Sequence, residues 1–437
     1  MKRSLFALLT VVLVGGLITG LGSNLSGTLN TANTESQSSI LEICQDPRYT
    51  PSNTSGTLNT RNVEDQSSFP EIRQDPRNTP SSTSGTLNTT DAESQNTSGT
   101  LNTTDAESQS SVSEIHHVFF LKVHKAASST VQNIMFRFAL SHGLTVMLPH
   151  KGHILSEKRV NWLPKAMYPP SGERYFDILC NHVIFNEKSV RVRLHADTVF
   201  IGIVRHPFDQ FVSSFNYYRN VLHFHILMNI SGDDPVSTYL SNPKIWEPKE
   251  PRLSRTHNRM SIDFGMEPVR MKSAIYVNRY LDYLDRKFHL VLVSERFDES
   301  MILMKRHLGW KLKDVLYMKQ NVHGSKPQGY TDTQRAAHKL FNMADYALYE
   351  HFSGLFDKRV AAQGAAFGEE VKTYVSVRNS VEKFCLANDT TMESLRVAAS
   401  LWSEEFWVSK TDCSFMKLEE VPFVMTLRSR LYQNEIN

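Results

Sequence analysis

The sequence predicts an α/β fold: a mostly parallel sheet flanked by helices, preceded by a single N-terminal transmembrane helix and a disordered stem. Three observations lead there. From residue 115 onward, apolar runs of strand length alternate with segments of helical periodicity, the pattern of a parallel sheet covered on both faces. Two of those runs end on a basic residue and open directly into a helix. Ahead of them, an uncharged apolar run near the N-terminus gives way to a long polar, repetitive stretch.

Residues 1–3, Met1-Lys2-Arg3, read as a short cytoplasmic tail. Ser4 to Leu21 carries no charge, so 4–22 suits a signal-anchor spanning the membrane once. A cleavable signal peptide is the rival, given the small residues Gly20-Leu21-Gly22-Ser23. Either reading delivers the rest of the chain to the secretory lumen. The stretch 23–114 repeats Ser-Gly-Thr-Leu-Asn-Thr from Ser26, Ser55, Ser84 and Ser98, with first intervals of 29 residues. Each unit is too poor in apolar residues to stack as a solenoid, so a disordered stem follows. Sequons at Asn24, Asn53, Asn88, Asn96 and Asn102 make it a glycosylated one.

The luminal domain occupies 115–437. Strands are expected at 118–123, 145–148, 176–180, 199–204 and 289–293, and helices at 129–141, 207–220, 272–286 and 298–308. Beyond Thr331 the pattern is largely helical. Charge divides unevenly: 23–114 holds 12 acidic and 4 basic residues (net −8), and 115–437 holds 42 basic and 33 acidic (net +9). A basic globular part suits an anionic ligand. No basic run or aromatic-interleaved basic stripe occurs, so nucleic acid is not an expected partner. The four cysteines form no C-x-x-C pair, and no metal site is expected. Cys385 and Cys413 suit one disulfide, Cys180 a buried free thiol, and Cys44 lies in the stem.

Two stretches carry the chemistry. In the first, Val118-Phe119-Phe120-Leu121-Lys122-Val123 runs into His124-Lys125-Ala126-Ala127-Ser128-Ser129-Thr130, and then Val131, Ile134, Met135 and Phe138 recur at helical spacing. Strand, small basic loop and helix N-terminus together make an anion cradle of N–H groups, hydroxyls and one full charge. The G-x-x-x-x-G-K-[ST] spacing of an ATP-binding loop is missing, which argues against a kinase. In the second stretch, Val199-Phe200-Ile201-Gly202-Ile203-Val204 ends at Arg205, Pro207 opens a helix, and Ser213 lies about two turns into it. Arginine offers a bidentate fork to phosphate and serine one hydroxyl. Two phosphate cradles suit a nucleotide phosphorylated at both ends of its ribose, the layout of 3′-phosphoadenosine 5′-phosphosulfate (PAPS).

The pair resembles the 5′-phosphosulfate loop and 3′-phosphate site of Golgi carbohydrate sulfotransferases. With Phe176-Asp177-Ile178-Leu179-Cys180-Asn181-His182, the run from Phe288 to Ser300 and that from Leu308 to Tyr317, the chain is similar to the galactose-3-O-sulfotransferase family, which includes galactosylceramide sulfotransferase. The resemblance runs from about His117 to about His351. It implies a P-loop-like sulfotransferase fold, PAPS as donor, and transfer of a sulfuryl group to the 3-hydroxyl of galactose in glycolipids or glycoprotein glycans. It further implies a single-pass type II protein of the Golgi membrane with a luminal catalytic domain, and admits a homodimer. Lys125 would stand at the bridging oxygen. Ala126, Ala127, Ser128, Ser129 and Thr130 would surround the 5′-phosphosulfate, and Arg205 and Ser213 would hold the 3′-phosphate. Relatives often carry threonine or glycine where Ala126 and Ala127 stand here.

The base is expected in His182, which follows a strand and resembles the histidine of the related uronyl 2-O-sulfotransferases. His150 and His153 compete, and His124 reads as a residue orienting the loop. Arg255, His257, Asp263 and Asp298 are candidate sugar contacts. Two other readings remain at this stage: a PAPS-dependent sulfotransferase for another sugar such as a uronic acid, and an inactive membrane-anchored glycan-binding relative.

Overall fold

The computed structural model describes residues 113–157, 169, 172–319, 329–387 and 392–431. The expected cytoplasmic tail, the membrane span at 4–22 and the stem up to residue 112 lie outside them. Among the described residues no helix is long and apolar enough to cross a membrane.

Four strands form the central sheet: β1 (Val118–Phe120), β2 (Ile178–Leu179), β3 (Val199–Val204) and β4 (Leu290–Val293), in the order β2-β1-β3-β4. All pairings are parallel, with Phe119 opposite Leu179 and Phe200, and Ile203 opposite Leu292. Every residue of these strands is buried, as a sheet covered on both faces requires.

The helices between strands are α1 (Ser128–His142) after β1, α2 (Glu187–Arg191) after β2, and α3 (Pro207–Asn220) after β3. Short α4 (His225–Met228), α5 (Pro235–Ser241) and α6 (Arg259–Asp263) follow, then α7 (Ala274–Asp285), β4 and α8 (Phe297–Leu308). Side chains of alternating parity in the sheet serve two layers. On one, α10 (Met343–Ala361) lies on β3 and β4 with α7 against it, and the rings of Phe119, Phe200 and Phe288 pack together. Gly202 is required there, since a Cβ would stand 2.9 Å from the Phe264 ring. In the second layer, Phe138 of α1 stacks at 3.7 Å on Trp310, two residues beyond the end of α8.

The C-terminal part adds α9 (Asp332–Phe341), α11 (Ala366–Leu386), the antiparallel pair β5 (Ser394–Val397) and β6 (Phe406–Ser409), α12 (Lys410–Lys417) and α13 (Glu420–Leu431). Helices α12 and α13 lie on α1, and α11 lies on α8. A satellite core of Phe208, Phe211, Phe215 and Tyr239 joins α3 to α5. Cys385 and Cys413 form a disulfide, and Cys180 is a buried free thiol.

The strand expected at 145–148 is reduced to a single bridge between Val146 and Ile178. Asp177 is the reason: its carboxylate takes both the backbone N–H and the hydroxyl of Thr145, at 2.7 and 2.8 Å. The Thr145 N–H is then lost to a ladder, and Pro149 ends the run four residues later. The β5–β6 pair is an addition to the largely helical tail that the sequence predicts.

Burial makes one histidine a stability determinant. His338 is 1% exposed, bonded through Nδ1 to the Tyr346 hydroxyl, and burial lowers its pKa to about 3. The unfolded chain takes up that proton near pH 6.5 while the folded chain does not. Stability should therefore fall as pH drops below about 6.5, by about 2 kcal/mol at pH 5 from this group alone. Denaturant midpoints at pH 7 and 5 check this, and His338→Gln should show the smaller decline.

Candidate functional site

Because β1 and β3 are parallel neighbours, the loops leaving their C-terminal ends emerge side by side. The structure joins them directly. Arg205 donates from Nη1 to the Lys125 carbonyl at 3.0 Å, and Gln210 of α3 donates from Nε2 to the His124 carbonyl at 2.9 Å. The sequence-predicted residues Lys125 and Arg205 thus share one place, and each strand–loop–helix braces the other.

The loop backbone is unusual. Lys125 and Ala127 both adopt left-handed conformations, φ 58° and 59°, although neither is glycine. Such a residue costs of order 1–2 kcal/mol, and strain of this kind gathers where a backbone must converge on a ligand. Alternation of hand along a loop turns successive N–H groups toward one point, an anion-binding concavity. Ala127 is also the N-cap of α1 and brings no side-chain cap, and the first turn holds no acidic residue. The positive end of a 15-residue helix is therefore left uncompensated there.

The hydroxyls divide. Ser129 is exposed and Thr130 half-buried at the helix start. Ser128 is buried and donates its proton to the Val123 carbonyl at 2.6 Å. As placed, the Ser128 hydroxyl closes the loop on itself.

Lys125 rests with Nζ 3.8 Å from the centre of the Tyr217 ring, a cation–π contact. Partial burial, with Arg205 and Lys122 nearby, lowers its pKa to about 8. Ser213 lies one turn before Tyr217 on α3, half-buried, with no partner among the described residues. Sequence reasoning missed Tyr217, yet its i,i+4 relation to Ser213 was the available signal.

Behind the loop sits a buried polar chain. Asp263 of α6 accepts the His124 backbone N–H and contacts the His124 ring at Nδ1, both at 2.8 Å, and accepts from Arg259 Nη2 at 2.6 Å. Burial pushes the Asp263 pKa up, but Arg259 and His124 outweigh it and hold the carboxyl below its ordinary range. Glu157 pairs with Arg255 and lies 3.6 Å from His124 Nε2. Burial opposes its ionisation too, but Arg255, His124 and Arg259 hold it well below the carboxylate range. His124 is thereby fixed from both sides, the orienting role that its position predicts.

His182 stacks on His124, ring centres 4.3 Å apart. Burial, then His124 and Lys122, pushes its pKa well below the usual imidazole value, so the ring is neutral at physiological pH. Its Nδ1 is sealed without a partner among the described residues. Nε2 is the ring nitrogen not sealed in this way. His153 runs beside it, its carbonyl accepting from Asn181 at 2.9 Å, whereas His150 stands exposed.

The four candidate sugar contacts are occupied within the fold. Asp263 and Arg255 belong to the network just described. The His257 ring lies 3.0 Å from the Phe341 carbonyl and stacks on the Phe341 ring at 4.1 Å. Asp298 accepts from the Tyr317 hydroxyl at 2.9 Å and pairs with Arg378 at 3.2 Å. A lone polar residue in a sequence carries no sign of such an internal partner, which is why all four looked available.

One further residue supports the loop from below. Lys122, the polar interruption in the first apolar run, is 1% exposed and pairs through Nζ with Glu420 of α13 at 2.5 Å and with Gln132 Oε1 at 2.6 Å. Burial lowers its pKa, and Glu420 opposes that shift.

A family model described as galactose-3-O-sulfotransferase matches residues 79–405. Galactose-3-O-sulfotransferase 3 of Mus musculus is 32% identical over 297 residues, covering 66% of this chain and 67% of that protein. Galactose-3-O-sulfotransferase 2 of Homo sapiens is 32% identical over 244 residues, 55% of this chain and 60% of its own length. Galactosylceramide sulfotransferase of Bos taurus is 30% identical over 290 residues, 65% and 67% respectively. The chain thus spans 60 to 67% of the length of these relatives.

Proposed function

Since the chain belongs to the galactose-3-O-sulfotransferase family, we propose that it transfers a sulfuryl group from PAPS to the 3-hydroxyl of a galactose on a glycolipid or glycan. One observation carries the proposal: the strained, uncapped loop at Lys125–Ala127 is clamped by Arg205 from the neighbouring strand end. An anionic donor phosphorylated at both ends of its ribose needs two adjoining cradles, and this pairing supports that reading.

The donor substrate supplies the activated sulfuryl group and a phosphate leaving oxygen. The loop N–H groups, Ser129 and Thr130 surround that phosphate, and Lys125 leaves Tyr217 to meet the charge that develops on it. Arg205 and Ser213 hold the second phosphate. His182 accepts the acceptor hydroxyl proton at Nε2 as the new sulfur–oxygen bond forms and the bond to phosphate breaks. The Asp263–His124 pair fixes the ring plane on which His182 rests. Residues 4–22 anchor the chain in the Golgi membrane with 115–437 in the lumen, and 23–114 set the catalytic part off from the bilayer.

The test of the donor site is direct. The product 3′-phosphoadenosine 5′-phosphate at millimolar concentration should raise the melting temperature of the purified chain, and Arg205→Ala should abolish the rise. No shift in the unsubstituted protein overturns the donor assignment.

The lowered pKa of Lys125 gives a further expectation. kcat/KM reports the free enzyme, so it should fall as pH rises through about 8, where Lys125 loses its proton. In Lys125→Arg, whose guanidinium stays charged, the remaining activity should lack that basic limb. A pH–rate profile of both proteins checks this.

A further inference from the structure

At the end of α1 remote from the loop, we infer that Glu114, His116 and His142 form a zinc site. The Glu114 carboxylate oxygen Oε1 lies 2.8 Å from His116 Nε2 and 3.2 Å from His142 Nε2. The three ligand atoms all lie within 4.8 Å of one another. Zinc bound at about 2.0–2.2 Å to nitrogen and carboxylate oxygen sets neighbouring tetrahedral ligand atoms about 3.3 Å apart. The Glu114–His142 separation is already at that value, and the Glu114–His116 contact, a hydrogen bond at 2.8 Å, opens by about half an ångström to reach it.

The tautomer of His142 makes the case sharper. Its Nδ1 stands 2.9 Å from both the Phe138 carbonyl oxygen and the Ser141 hydroxyl. That hydroxyl donates to the same carbonyl at 3.0 Å, so with the Ser141 proton engaged Nδ1 carries the hydrogen. In the neutral ring Nε2 then turns a lone pair toward the Glu114 carboxylate. Two electron pairs 3.2 Å apart call for a positive charge between them, supplied by a metal ion or by a proton on Nε2. A ring N–H bound to a backbone carbonyl is also the arrangement that orients a metal-ligating histidine.

The scaffold is built in advance. Between Glu114 and His116, Ile115 donates its N–H to Leu308 at 2.9 Å and its carbonyl accepts from Trp310 Nε1 at 2.8 Å. Phe138 lies against the His142 ring at 4.1 Å and the His116 ring at 5.9 Å. The three side chains remain 24 to 41% exposed, so an ion reaches them from solvent. Three ligands leave a fourth position for water. The His2Glu set of nitrogen and oxygen donors matches zinc among the common divalent ions.

A second cluster serves as a contrast. His117 and His195, beside Asp197, stack at 3.8 Å with ring planes 7° apart. Parallel planes at that distance share no common in-plane point, so no single ion takes both lone pairs. The zinc site, by contrast, ties the entry of the globular part to the helix whose other end carries the donor loop.

The purified full chain, stripped with a chelator, is titrated with Zn2+ at neutral pH by calorimetry and by melting temperature. The expected result is one tight equivalent and a rise of several degrees. Both should be lost in His142→Gln and in Glu114→Gln and kept in His195→Gln. Absence of a tight equivalent, or its survival in His142→Gln, overturns the proposal. So does stabilisation by acid without any response to zinc, which would place a proton rather than a metal between Glu114 and His142.

Discussion

Replacing Lys125 with alanine should lower kcat by about 10²- to 10³-fold, the usual loss when one preorganised charge at a developing anion is removed. The fold should survive. Lys125 is only half-buried, and Ala127 already holds the same left-handed geometry two residues on, so alanine at 125 brings no new backbone conflict. Melting temperature should change little while turnover collapses. Single-turnover kinetics at saturating donor separates this loss from weakened binding. A kcat within a few-fold of the unsubstituted protein would remove Lys125 from the chemistry.

The largest stability effect is expected at Glu420, far from Lys125 in sequence. Glu420→Ala leaves the Lys122 ammonium buried, with Gln132 as its remaining hydrogen-bond partner. Breaking a buried pair on one side costs about 3–5 kcal/mol, against about 0–1 kcal/mol for an exposed pair. Glu420→Gln keeps an acceptor and should cost less. The double variant Lys122→Met/Glu420→Leu should recover much of the loss, because no charge is then buried alone. Urea denaturation of the three variants measures the differences, and a loss below about 1 kcal/mol in Glu420→Ala would contradict this account.

The two predictions mark the two kinds of information in the chain. The helix expected at 207–220 is α3 to the residue, and those expected at 129–141 and 298–308 differ by one residue at their ends. Apolar periodicity, Pro207 and Gly309 are local signals, and local structure follows them. Lys125 and Arg205 were legible for the same reason, each ending a β-rich run before a helix. Arg205 meeting the Lys125 carbonyl followed once the strands were parallel neighbours.

What stayed hidden is set by distant chain. Nothing near Lys122 points to Glu420, and the polarity of Lys122 within an apolar run was the lone hint. Asp177 capturing Thr145 shortened an expected strand, an interaction between segments that no periodicity records. Asp263 and Asp298 looked like free acids until their arginine partners were in place. The zinc-ligand set was invisible because Glu114 and His116 lie a helix length from His142, without the close pairing that marks metal sites in sequence.

The most direct test of the central claim is position-specific transfer of labelled sulfate. The full chain is incubated with radiolabelled PAPS and galactosylceramide, a lactose-type disaccharide, and each galactoside blocked as its 3-O-methyl ether. The account predicts label on the free galactosides, none on the blocked ones, and loss of label in Lys125→Ala. Label on the blocked galactosides, or on a uronic-acid polymer with none on galactose, would contradict it.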